Sequence, residues 1–276
     1  MQFEMFHLSL LRRPADLLTA TGPAPSREAW LRDLFTSAIE FDHRTETFHF
    51  VPEEGAEKNS GGMVIGRIGR QIVREENEPP TRGLQETTRD TWIAALVVID
   101  PRDLVDVGQT LAFEVLGPIG QPQSVINSFL YAVNSRRLRE HYILEAAPVS
   151  NSESFWTFAR ENAKDITFLR FELIPPNMFG IDGDIDADMR SAHKEENARK
   201  VTLAFESDDY LNTDTPMTKA LVGYVAKGGG NILAKTKKKK TYNSKRKTKR
   251  VHIPKLEAKG AEESLISRVI KAIFRR

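Results

Sequence analysis

The alternation of hydrophobic and polar residues predicts many short strands and a few amphipathic helices. Strands are predicted over 2–10, 45–51, 63–73, 91–99, 109–116, 142–147, 166–173 and 201–205. Helices are predicted over 27–40, 122–136 and 186–200, from Pro216 to Gly228–Gly230, and over 261–275, and residues 150–162 are expected to be helical or irregular. Because these elements do not alternate regularly, we expect an α+β fold with mostly antiparallel sheets rather than a doubly wound parallel sheet.

Residues 166–173 show the pattern most clearly. Leu169, Phe171 and Leu173 alternate with Arg170 and Glu172, so the segment should form a strand with one apolar and one polar face. Residues 75–90 lack such a pattern, carry many charges and contain two adjacent prolines. They are therefore expected to form a long loop, either mobile or functional.

The chain length favours two modest domains over a single small core. The 276 residues divide at turn-forming stretches. The predicted units are an N-terminal α+β domain at 1–117, a second α+β domain at 118–234, a basic segment at 235–255 and an amphipathic helix at 256–276.

Cysteine is absent from the sequence, which excludes disulfides, thiolate metal sites and cysteine nucleophiles and favours a reducing, cytoplasmic location. The longest apolar run is Trp92–Ile99, far short of the roughly 20 residues that a membrane span needs. No transmembrane segment is therefore expected. No serine-hydrolase or phosphate-loop motif is present, so the sequence points to no cofactor and gives an enzymatic role little support.

Charge is distributed unevenly along the chain. Residues 235–250 carry ten lysines and arginines and no acid, whereas the whole chain has 40 basic and 38 acidic residues, so the remainder carries 40 − 10 = 30 bases and a net charge of 30 − 38 = −8. A short, strongly basic stretch on an acidic body indicates a polyanionic partner.

This stretch predicts a nucleic-acid-binding surface, because clustered cations neutralise phosphates and release counterions. The candidate binding residues are Lys235, Lys237, Lys238, Lys239, Lys240, Tyr242, Lys245, Arg246, Lys247, Lys249 and Arg250. Residues 242–244 are expected to form a turn between two basic arms, with Tyr242 stacking on a base. Double-stranded DNA is the favoured ligand. The alternatives are a solvated linker and a localisation-type patch.

An acidic run offers a second hypothesis, a metal-dependent nuclease. Asp182, Asp184, Asp186 and Asp188 alternate with other residues, and the spacing from Asp184 imitates a calcium loop. Met189 stands where that loop needs glycine to turn. The run is also explained by aspartates that favour the start of the following helix, so the metal candidates Asp184, Asp186 and Asp188 remain weak.

The C-terminal helix supplies a third hypothesis. Its apolar positions, among them Val269 and Ile270, face away from Arg268 and Lys271. Such a helix can dock on the body of the protein, hold a dimer together, or lie on an anionic membrane surface.

The order of elements in the middle of the chain resembles that of RexA-type phage-exclusion proteins and related bacterial phage-defence proteins. The similar passages are Thr110–Pro118, the helix around Asn127–Leu130, Tyr142–Pro148 and Ile166–Leu173. The resemblance covers about residues 45–250 and implies a homodimeric, DNA-binding, non-enzymatic protein that acts in phage defence. A partner protein from a defence locus is a further expectation.

Overall fold

The computed structural model of the chain confirms the α+β fold. It describes residues 1–13, 23–53, 61–102, 108–137, 140–174, 191–192, 195, 198, 200–254 and 265–274. Within these described residues, all paired strands are antiparallel, and they form one sheet of eight strands and one of four.

The larger sheet has the order β12-β1-β6-β5-β4-β3-β2, with β7 also paired to β1. Its strands are β1 (Gln2–Arg12), β2 (Ile39–His43), β3 (Glu46–Pro52), β4 (Val64–Asn77), β5 (Glu86–Asp100), β6 (Gln109–Glu114), β7 (Tyr142–Pro148) and β12 (Arg250–His252). Strand β1 is long enough to pair with β12 near its start and with β7 near its end.

Helices cover both faces of this sheet. On one face lie α1 (Arg27–Leu34) and α2 (Pro122–Arg136), whose buried side chains join the main hydrophobic core. The other face receives the C-terminal helix, α5 (Leu265–Phe274), through Val269 and Ile270. The docking alternative for this helix is therefore the one observed, and its two most buried apolar side chains are not free to enter a membrane.

The smaller sheet has the order β11-β10-β8-β9. Its strands are β8 (Ile166–Leu173), β9 (Val201–Glu206), β10 (Gly230–Thr236) and β11 (Thr241–Asn243). Helices α3 (Ser152–Glu161) and α4 (Pro216–Ala226) pack on the face that contains Leu169, Phe171 and Leu173. The polar face predicted for β8 is thus confirmed as the face opposite the helices.

Two predicted elements differ from the structure. The helix predicted over 27–40 ends at Leu34, because the residues from Ile39 onward alternate between buried and exposed positions and pair as β2. The loop predicted over 75–90 is a β-hairpin: β4 and β5 stay in register from Val64↔Ile99 to Asn77↔Glu86. Beyond Arg70 and Ile93, this ribbon extends past the described neighbouring strands.

The two sheets divide the chain at a different point from the predicted boundary at residue 117. Both α2 and β7 contribute to the core of the larger sheet, and the chain returns to that sheet at β12. Whether residues 1–117 and 118–234 are independent folding units stays a prediction. The basic stretch joins the two sheets, leaving the smaller at β10–β11 and entering the larger at β12.

Candidate nucleic-acid interface

The basic stretch Lys235–Arg250, called the cationic segment below, follows a defined path. It contains the end of β10, a tight turn at 237–240, strand β11, a 3-10 turn at Ser244–Arg246 and the start of β12. Thr248 also forms a β-bridge with Ser150. The expected ribbon with two basic arms is wrong, because the first basic block, 237–240, is itself the turn of the β10–β11 hairpin. Tyr242 and Asn243 lie on the returning strand β11, and Ser244 begins the 3-10 turn.

All ten cations of the segment are exposed, and they differ in whether an acid accompanies them. Ion pairs are made by Lys237, Lys238, Lys245 and Arg250. Within the described part of the chain, no acid pairs with the other six, which are Lys235, Lys239, Lys240, Arg246, Lys247 and Lys249. These six ammonium and guanidinium groups are the ones available to an external anion.

Acidic side chains form ion pairs with the first two lysines of the turn. Lys237 Nζ lies 2.6 Å from Asp209 Oδ1, and Lys238 Nζ lies 2.9 Å from Asp165 Oδ2. The backbone N–H of Lys237 also donates to the carbonyl of Asp165. Lys239 then adopts a left-handed conformation with φ of 61°. These contacts fix the start of the turn. Lys239 and Lys240, which follow, are the two lysines of the turn that form no ion pair with a described acid.

Tyr242 does not take the role expected for it. Its side chain is 4% exposed and packs against Phe155 and Phe158, and its hydroxyl lies 2.9 Å from Ser154 Oγ. Burial raises the pKa of the Tyr242 phenol, and the Ser154 hydrogen bond opposes that rise. The ring faces the helices rather than the solvent, so it belongs to the core and not to a stacking surface.

An aromatic ring that the sequence interpretation missed lies among the cations. Phe168 is half-buried on the helix-free face of β8, and the ammonium of Lys235 lies 5.1 Å from its ring centre. The signal was present in the period-2 pattern, because Phe168 falls on the same face as Arg170 and Glu172.

Phe168 belongs to a row of side chains that crosses the smaller sheet. The register aligns Thr241 with Lys235, Lys235 with Phe168, and Phe168 with Glu206. Directly opposed residues share a face in an antiparallel sheet. A surface cleft of about 600 Å³ lies along this row, and Lys239, Ser207 and Asp208 also line it.

The far end of the segment is attached to the larger sheet. Arg250 Nε lies 3.4 Å from Glu4 Oε2, and Glu4 is buried on β1. Burial raises the pKa of this carboxyl group, while hydrogen bonding from Thr248 and Arg250 lowers it. Arg250 is therefore a partner of a buried acid, which makes it a poorer phosphate ligand than the six unpaired cations.

The described residues contain no site that would support the metal hypothesis. Asp182, Asp184, Asp186 and Asp188 lie outside the residues that the structure describes. Among the described side chains, no group of three histidines and acids is arranged to hold a metal ion. Likewise, none of the described helices is long and apolar enough to cross a membrane.

Comparison with known proteins gives a family without an assigned activity. No curated protein and no solved structure matches the sequence. A family model described as a domain of unknown function, DUF4747, matches residues 74–274, a range that contains the cationic segment and all four strands of the smaller sheet. The chain belongs to the DUF4747 family.

Proposed function

We propose that this protein binds nucleic acid through the cationic segment, with the phosphate backbone on its six unpaired cations. The observation that carries the proposal is that these cations stay exposed and unpaired although the described body of the chain is rich in acids. A segment selected only to join the sheets would not need this density of charge.

The salt dependence of the proposed affinity follows from the number of cations that have no acid partner. If five or six of them contact phosphates, the slope of log affinity against log salt is about −5 on a duplex and about −4 on a single strand. Titration of labelled duplex DNA, single-stranded DNA and RNA across a salt series measures this slope and identifies the ligand. Affinity that does not change with salt contradicts the proposal.

The biological setting that we propose is phage defence in the bacterial cytoplasm, as implied by the resemblance to RexA-type proteins. Its test is plaque formation on cells that express the wild type or a variant in which Lys239, Lys240, Arg246 and Lys247 are changed to glutamine. Protection by the wild type and its loss in the variant support the setting. Equal plaque counts with and without the protein contradict it.

A further inference from the structure

We infer that the cleft beside the lysine turn holds one unpaired base, so that the ligand of the cationic segment is a single strand. This inference rests on the proposed function. The cleft combines the half-buried ring of Phe168 with the free cations Lys235 and Lys239 and the free carboxylates of Glu206 and Asp208. An aromatic face beside backbone-binding cations is the arrangement by which proteins hold single-stranded nucleic acid.

The dimensions of the row fit a nucleotide. Thr241, Lys235, Phe168 and Glu206 occupy four adjacent strands, and three strand spacings span about 14 Å. The cleft of about 600 Å³ is in the size range of small-molecule sites. A base stacked on Phe168 would have Lys239 and Lys240 on the side of the turn and the carboxylates on the side of β9.

The ammonium of Lys235 now occupies the position over the Phe168 ring. A base that stacks there displaces this ammonium, which is then free to pair with the adjacent phosphate. Stacking and charge neutralisation thus replace one cation–ring contact with two interactions.

The carboxylates determine which bases the cleft accepts. Glu206 and Asp208 are exposed, and neither forms an ion pair with another described residue. A carboxylate repels a phosphate but accepts a hydrogen bond from an exocyclic amino group, as on cytosine. Thymine presents a carbonyl oxygen at the equivalent position and has no such donor. The cleft should therefore prefer cytosine to thymine.

The first test separates the base from the backbone. Binding of a cytosine oligonucleotide is compared with binding of an abasic oligonucleotide of the same length and charge. The wild type should prefer the cytosine strand by about tenfold, the contribution of one stacked base. Phe168→Leu should reduce this preference to less than about twofold, whereas Phe168→Tyr, which keeps a stacking ring, should retain it.

The outcomes separate the two proposals. If the abasic strand binds with a steep salt dependence but Phe168→Leu keeps the full preference for bases, the cleft inference is overturned and the phosphate surface stands. If neither strand binds in a salt-dependent way, the proposed function itself fails.

The second test addresses base choice. The wild type should bind a cytosine strand about five- to tenfold more tightly than a thymine strand. Glu206→Gln combined with Asp208→Asn should reduce the ratio to less than about twofold, because amides donate to the thymine carbonyl as well as accept. Equal binding of both strands by the wild type overturns the assignment of the carboxylates.

Discussion

The ammonium of Lys235 lies 5.1 Å from the ring centre of Phe168, its direct partner in the register of β8 and β10. At an exposed site this cation–ring contact is worth about 0.5–1 kcal/mol. A stacked base typically contributes about 1–3 kcal/mol, which is more than the lysine contact contributes. Lys235 can thus cover an aromatic surface in the free protein and become a phosphate ligand in the complex.

The two pairs of lysines in the turn should differ in their effect on binding. Changing Lys239 and Lys240 to glutamine removes two unpaired cations, so the slope of log affinity against log salt should become shallower by about 1.8 on a duplex or by about 1.4 on a single strand. Changing Lys237 and Lys238 to glutamine removes the same charge from side chains already paired with Asp209 and Asp165. This matched control should change the slope less. Equal changes in both variants would mean that total charge, not pairing, determines binding.

Local patterns predicted most of the strands and helices but not the roles of individual residues. Helix α2 and strand β8 have the predicted bounds, because each buries one periodic face. The burial of Tyr242 depends on α3, a partner distant in sequence, and its basic neighbours suggested a surface position. The outer part of the β4–β5 ribbon was not predicted for a similar reason. Its charges and prolines are typical of a loop, and only the pairing between the two strands shows that it is a hairpin.

Tyr242 should affect stability and not binding. Tyr242→Phe removes the hydrogen bond with Ser154 and should lower the free energy of unfolding by about 1 kcal/mol. Tyr242→Ala empties a core position and should cost about 3–5 kcal/mol. Urea unfolding measures both changes, and titration of the folded Tyr242→Phe variant should give wild-type affinity. A large loss of affinity in that variant would assign Tyr242 to the interface after all.

Docking of α5 should be essential to the larger sheet. Val269 is fully buried against the face of that sheet. Val269→Asp places an unpaired charge there and should lower the free energy of unfolding by about 3 kcal/mol or more. Ala272→Asp adds the same charge at an exposed position of the same helix and serves as the control. Flotation with neutral liposomes, which do not attract the exposed cations, should leave the wild type in solution, and co-flotation would show that the helix leaves the sheet.

Exposed apolar residues on the β4–β5 ribbon are where we expect the homodimer implied by the resemblance to form. Trp92 and Val73 are 62% and 66% exposed, and the register Gln71↔Trp92 places them on one face of the ribbon. Burying large apolar side chains is a common basis of protein association. We expect light scattering to show a dimer that Trp92→Ser with Val73→Ser converts to a monomer.

Tyr131, 76% exposed on α2, provides the control for that experiment. Tyr131→Ser removes a comparable exposed aromatic side chain and should leave the dimer intact. A wild type that is monomeric at every concentration measured would contradict the dimer.

Stability should decrease on mild acidification because of His43. Its ring is buried, with Nδ1 2.9 Å from Ser128 Oγ, and burial lowers the pKa of the imidazole, with Arg44 and Arg70 adding to the effect. The unfolded chain accepts this proton near the ordinary pKa of 6.5, whereas the folded protein resists it to a lower pH. Below 6.5 the unfolded state therefore binds more protons, and the free energy of unfolding falls as pH falls.

This dependence is limited to about 1.4 kcal/mol per pH unit for one group. Unfolding in urea at about pH 7.5 and pH 5.5 should give a larger loss of stability for the wild type than for His43→Asn, whose amide can still bond Ser128. His252→Asn, on an exposed side chain of β12, controls for the removal of a histidine. Equal losses in the wild type and His43→Asn would show that His43 takes up its proton without cost to the fold. Because the neutral ring fixes β2 against α2, a larger loss in the wild type would identify this contact as the acid-sensitive point of the main core.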